Sequence, residues 1–182
     1  MYQLRILPGH HQCNRQKKEE AGQWKDPEDR CRSCCGWRTV LWLNRDGTFT
    51  GEYSDSEMGE QGDDYPNGSY YVCRFSGRFE IGEQIDDHSY SLTLATLIAE
   101  QSVGTEWIED GVRYVASGPY GLIDPMGEKE CRDFVFCLPE LPADQLGEDF
   151  RIWWPYFTEN KTTLSCYAIL NTTAGTGFFT YE

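Results

Sequence analysis

The 182-residue chain carries 30 Asp and Glu against 16 Lys and Arg, a formal net charge of −14. That length suits one domain of ordinary size and is short for two. The charge disfavours nucleic acid or an anionic membrane surface as partner, because both demand a basic face, and no apolar run is long enough for a spanning helix.

The charge is unevenly spread. Residues 1–36 hold seven Lys or Arg and five Asp or Glu, whereas 37–182 hold nine and twenty-five. The first segment shows no sustained helical or strand period and is dominated by polar residues, so it reads as an irregular or disordered arm, dispensable for folding. Its start, MYQLRILPGHHQCNRQKKEE, lacks the apolar stretch and small-residue cleavage site of a secretory leader, and the chain as written is expected in the cytoplasm. His10, His11, Cys13, Cys31, Cys34 and Cys35 loosely have zinc-site spacing, since Cys-x-x-Cys supplies two thiolates from one tight turn. With one such pair and no second knuckle, an arm without metal is preferred.

From Trp37 onward the period is two. TVLWL and TFTGEY flank NRDG, whose Asp-Gly is a hairpin signal because glycine accepts a positive φ. The acidic run over 55–64 follows, with Asp55, Glu57, Glu60, Asp63 and Asp64. Clustered carboxylates suit calcium, but a calcium-loop register starting at Asp55 puts Glu60 where glycine is needed and Pro66 where the closing glutamate belongs. A solvated loop closed by Gly59, Gly62 and YPNG is the preferred reading.

Next, SYYVCRFSGRFEI places Tyr71, Cys73, Phe75, Gly77, Phe79 and Ile81 on one face, with Val72, Arg74, Ser76, Arg78 and Glu80 on the other. The first face should point inward, because the opposite register buries charge. A bend is expected near Gly77. HSYSLTL alternates again, grouping His88, Tyr90, Leu92 and Leu94; His88, the domain's single histidine, reads as a packed or edge residue rather than a general base. TEWIE, GVRYVA, DFVFCL, TLSCYAIL and GTGFFTY complete about nine strands, at the spacing of an antiparallel sandwich or barrel.

LPADQLGEDFRIWWPYF interrupts them. Leu146, Phe150 and Trp153 share a helical face, predicting a short helix that ends before Pro155 and lies across an open end or face of the barrel. Trp153 and Trp154 then plug the core. Cys73 suits a reduced buried thiol, while pairing among Cys73, Cys131, Cys137 and Cys166 stays open if the chain is exported. Asn67, Asn160 and Asn171 begin N-x-S/T sequons, which matter only in a eukaryotic secretory context.

The stretch WRTVLWLNRDGTFTGEYSDSEMGEQGDDYPNGSYYVCRFSGRF, with TEWIEDGVRYVASGPYGL and a GFF ending, resembles a family of uncharacterised bacterial proteins with a lipocalin-like (calycin) β-barrel. The likeness covers about 37–182. It departs at CRSCCGW, where members carry small glycine- and serine-rich sequence. It implies a fold and carries no reaction with it.

Nucleophile elbow, phosphate loop and dinucleotide fingerprint are all missing from the sequence. The expectation is therefore an all-β, antiparallel lipocalin-like barrel over 37–182, with one short helix and an arm over 1–36. Its expected function is non-enzymatic binding of an apolar or amphipathic small molecule. The alternative is an interaction module whose barrel is filled by its own side chains. No catalytic residue, metal or cofactor is assigned.

Overall fold

The computed structural model describes residues 2–6, 36–124, 126–127, 129–155 and 157–180. Among the described residues ten strands and one helix follow in chain order: β1 (Tyr2–Ile6), β2 (Trp37–Leu43), β3 (Thr48–Glu57), β4 (Ser69–Asp86), β5 (Ser89–Ala99), β6 (Glu106–Glu109), β7 (Val112–Ala116), β8 (Asp133–Cys137), α1 (Glu148–Arg151), β9 (Ala168–Asn171) and β10 (Thr176–Thr180). In space the strands run β3-β2-β1-β10-β9-β8-β5-β4, and a β3–β4 pairing closes them into a ring of eight. Every contact around that ring is antiparallel. Strand β7 joins the first residues of β4 in parallel and carries β6 as an outer edge.

The β3–β4 register gives the repeated F-x-G triplets a physical meaning. Phe49 lies opposite Gly77, and Gly51 lies opposite Phe75. A Cβ on either glycine would run into the facing ring. Each phenylalanine therefore fills the space that a glycine leaves, and the motif serves packing rather than binding.

The ring's interior is filled in its middle. Leu41, Phe49, Phe75, Phe79, Leu94, Phe134, Ile169 and Phe178 are buried in one cluster. Phe79 packs between Phe49 and Phe134, with ring centroids 4.7 and 5.3 Å away. Each such side chain contributes roughly 1.5–3 kcal/mol on burial. On β4 the predicted face holds for Cys73, Phe75 and Phe79, all buried, while Arg74, Arg78 and Glu80 are exposed. Ile81 keeps the inward register yet is 63% exposed. The β4–β5 pairing first shifts between Arg78 and Phe79, just beyond Gly77.

A second cluster lies outside the barrel, where Ala168, Leu170, Cys137 and Phe179 are covered by Leu141, Leu146, Trp154, Leu164 and Cys166. These come from the 138–167 connection, in which the sequence suggested one short helix ending before Pro155. Only Glu148–Arg151 is helical. Pro142 instead bridges to Thr163, and Ala143 N donates to Thr162 O at 2.9 Å, so an extended pairing takes the place of the first turns. The connection covers an outer face of the barrel.

The expected irregular arm is corrected at its start. Tyr2–Ile6 is a ring strand, paired with β2 from Leu43 to Thr39 and with β10 at Phe179 and Thr180. Five residues are too few for a period to stand out from polar surroundings, and both partners are remote in sequence. Without this strand β2 and β10 would each lose a neighbour, which argues against dispensability. The zinc-spaced residues His10 to Cys35 lie outside the described residues.

Cys73, Cys131 and Cys137 are buried free thiols, and Cys166 is buried as well. Burial pushes Cys73 up to about 11 and Cys137 up to about 12, so both remain unreactive thiols at neutral pH.

Candidate functional site

The two ends of the ring are built differently. One end gathers the start of β2, the end of β3, the start of β4 and the β9–β10 turn. The β7–β8 connection folds across it. Leu122 from that connection is fully buried in the barrel core, and Cys131 N donates to Leu122 O at 2.9 Å. Two buried side chains hold the crossing: Thr39 Oγ1 donates to Tyr120 O at 3.1 Å, and Asn171 Nδ2 donates to Gly121 O at 2.8 Å. Asn171 Oδ1 in turn accepts from the Thr173 and Ala174 amides, both at 3.0 Å. Its sequon is consequently occupied by packing.

Aromatic rings complete this stopper. Tyr120 lies 4.8 Å from Trp37 and 5.9 Å from Tyr53, and Trp153 meets Trp37 edge-on at 5.9 Å. Trp153 Nε1 donates to Gly175 O at 2.8 Å, which ties the outer connection to the same end. Burial, followed by the neighbouring Asp55 charge, raises Tyr53 well above the usual phenol range; burial likewise raises the Asp55 carboxyl. These rings pack against one another.

The acidic run sits beside this end, and it is more ordered than a solvated loop. Asp55 and Glu57 belong to β3. Glu60 forms an ion pair with Arg113 at 2.6 Å and accepts from Tyr71 Oη at 2.8 Å. Arg113 also donates through Nε to Ser69 Oγ at 3.1 Å and covers the Tyr65 ring at 4.9 Å. Arg113 first, then Tyr71, holds Glu60 below the usual carboxylate range. Asn67 completes the docking, its amide N donating to Gly111 O and Nδ2 to Asp110 O. The run is therefore not one cluster: two of its carboxylates lie on β3, and Glu60 is held by Arg113 and Tyr71. Among the described residues no group of three or more His, Cys, Asp or Glu is placed to hold a metal ion.

The opposite end is open. Here β2 and β3 are joined by a tight turn at Asn44–Gly47, and β4 runs on past its last β3 partner, Arg78. From Glu80 to Asp86, β4 pairs only with β5 among the described strands, so the hairpin stands beyond the ring. Both turns are clamped by aspartates. Asp46 Oδ1 accepts from the Thr48 hydroxyl at 2.7 Å and the Thr48 amide at 3.1 Å. Asp86 accepts from Ser89 Oγ at 2.6 Å and the His88 amide at 2.7 Å. These bonds, the hydroxyl first in each case, hold both carboxyls below their ordinary value. His88 is thereby a turn residue, not part of an apolar strand face.

Between the turn and the hairpin lies a half-open cleft of about 780 Å³. Leu43, Phe79, Ile81, Leu92 and Phe136 supply its apolar wall, and Tyr167 stacks on Phe136 at 6.0 Å. Arg45, Asp46, Arg78 and Glu80 stand around it. Phe79, which packs on Phe49 and Phe134, separates the cleft from the filled middle of the ring. No group of the cleft forms a nucleophile–base pair. The sequence offered no specific sign of this site, because Ile81 continues the alternation of a buried strand. Only the difference in length between β3 and β4 exposes it.

Ring and ends together define an eight-stranded antiparallel β-barrel, stoppered at one end and open at the other. No family model, curated protein or solved structure matches the chain. Among the described residues no helix is long and apolar enough to cross a membrane.

Proposed function

We propose that the chain is a non-enzymatic binding barrel that receives one small, partly apolar molecule in the cleft at its open end. The observation that carries this reading is Ile81. It is a large apolar residue left 63% exposed beside Leu92 and Phe136, where the β4–β5 hairpin leaves the ring. Concave apolar walls with a few polar groups at the rim are the usual make-up of a small-molecule site. The lipocalin-like resemblance of 37–182 agrees with this use, although the occupant sits at the mouth rather than in a deep calyx.

The packed interior supports a second reading, an interaction module without a small-molecule ligand. Titration with a neutral apolar dye such as Nile red separates the two. The binding barrel gives saturable, one-to-one fluorescence enhancement, weakened at least about tenfold by Ile81→Asp, which sets a charge in the apolar wall. The thermal midpoint stays unchanged, because the side chain is exposed. Absence of saturable binding, or equal binding by the variant, favours the interaction module.

A further inference from the structure

We infer that the molecule taken by the open cleft is uncharged, an apolar body carrying a hydroxyl that meets the polar rim. This rests on the binding reading above and names the chemical class of its ligand.

Charge is balanced at the rim where the rest of the domain is strongly acidic. Residues 37–182 hold twenty-five Asp and Glu against nine Lys and Arg. The cleft is lined by two of each sign, Arg45 and Arg78 with Asp46 and Glu80. The hairpin-tip acids Glu83, Asp86 and Asp87 are not part of its wall. A site for a cation keeps an excess of carboxylates, and a site for an anion keeps an excess of guanidinium groups. This rim keeps neither.

The backbone sets that balance by alternating the signs. Arg45 precedes Asp46 in the tight turn, and Asp46 is bound to Thr48. Thr48 lies opposite Arg78 on β4, which brings Asp46 and Arg78 into each other's field. Thr48 first, and the Arg78 charge more weakly, hold the Asp46 carboxyl below its ordinary value. Glu80 follows two residues beyond Arg78 on the same exposed face, with buried Phe79 turned the other way. A charged head group would therefore meet its own sign beside each opposite one. It would give up hydration against the Ile81, Leu92 and Phe136 wall with no net field to offset the loss. A hydroxyl both donates and accepts, so it can use a carboxylate and a guanidinium side by side.

Competition against bound Nile red by octanol, octanoate, octyltrimethylammonium and an octyl sulfobetaine tests this, since the four share a tail and differ in head charge. Octanol should bind at least about tenfold more tightly than each of the others, because a charge loses hydration at the wall. Unbalancing the rim should then create the missing preferences. Glu80→Gln leaves one positive charge in excess and should strengthen octanoate about threefold, the size of an exposed charge contact. Arg78→Gln leaves one negative charge in excess and should strengthen octyltrimethylammonium by about the same factor. Octanol should stay within about twofold in both variants, whose side chains are exposed and whose thermal midpoints should not move. A charged or zwitterionic competitor as tight as octanol, or either variant failing to strengthen its competitor, overturns the uncharged assignment and leaves the binding barrel standing. Failure of all four to displace the dye overturns both.

Discussion

The two ends of this barrel enclose the same kind of interior by opposite means. At the stoppered end, fully buried Thr39 and Asn171 hold the backbone of a long connection, and Leu122 enters the core behind it. At the open end, tight turns are clamped by exposed aspartates, and a hairpin overshoots the ring. Buried side chains hydrogen-bonded to a crossing backbone make a rigid closure. Surface clamps hold turns in shape but cover nothing. The difference explains how a barrel with a filled middle still offers a binding surface: packing is concentrated at one end, and apolar wall is left bare at the other.

The largest expected effects concern stability and divide along this line. Phe75→Ala, which empties the space over Gly51, should cost about 3–5 kcal/mol, and Leu122→Ala at the stopper about 2–5 kcal/mol. Ile81→Ala at the open end should stay within about 0.5 kcal/mol, as for an exposed surface position. Chemical denaturation of the three variants measures this. An Ile81 variant as damaged as the Leu122 variant would erase the distinction between the ends.

Much of the barrel was legible in the sequence, because alternation from Trp37 onward marks strands that each have one buried and one exposed face. The same signal placed Cys73, Phe75 and Phe79 inward. It failed where tertiary context decides. Tyr2–Ile6 is too short to stand out, and its strand character comes from β2 and β10. The stopper, SGPYGLID, reads as a run of turn residues, and nothing local says that Leu122 will enter the core. Glu60 reads as part of a solvated acidic loop because its partner Arg113 lies far along the chain. The cleft was least legible, since it arises from the length by which β4 outruns β3.

A smaller effect separates the clamps by pH. Asp46 and Asp86 have folded-state pKa values below their ordinary value, which is about 3.9. Their contribution is therefore present above that value and lost as pH falls through the lower folded values. Asn171 makes the same kind of amide contact at the stopper and does not titrate. In an NMR titration from pH 6 to about pH 2.5, through the range of a depressed aspartate, the Thr48 and His88 amides should move with the carboxylates. Those of Thr173 and Ala174 should stay still. Movement of all four together would mean that the ends are not independent.

The most direct test of the central claim, that the open end alone is the binding end, is an amide-resolved NMR titration with octanol at neutral pH. The account predicts saturable shifts at Leu43, Gly47, Phe79, Ile81 and Phe136, with Tyr120, Leu122 and Asn171 unmoved. Shifts centred on Trp37, Tyr120 and Leu122 instead would show that the stopper yields to ligand, and would contradict it.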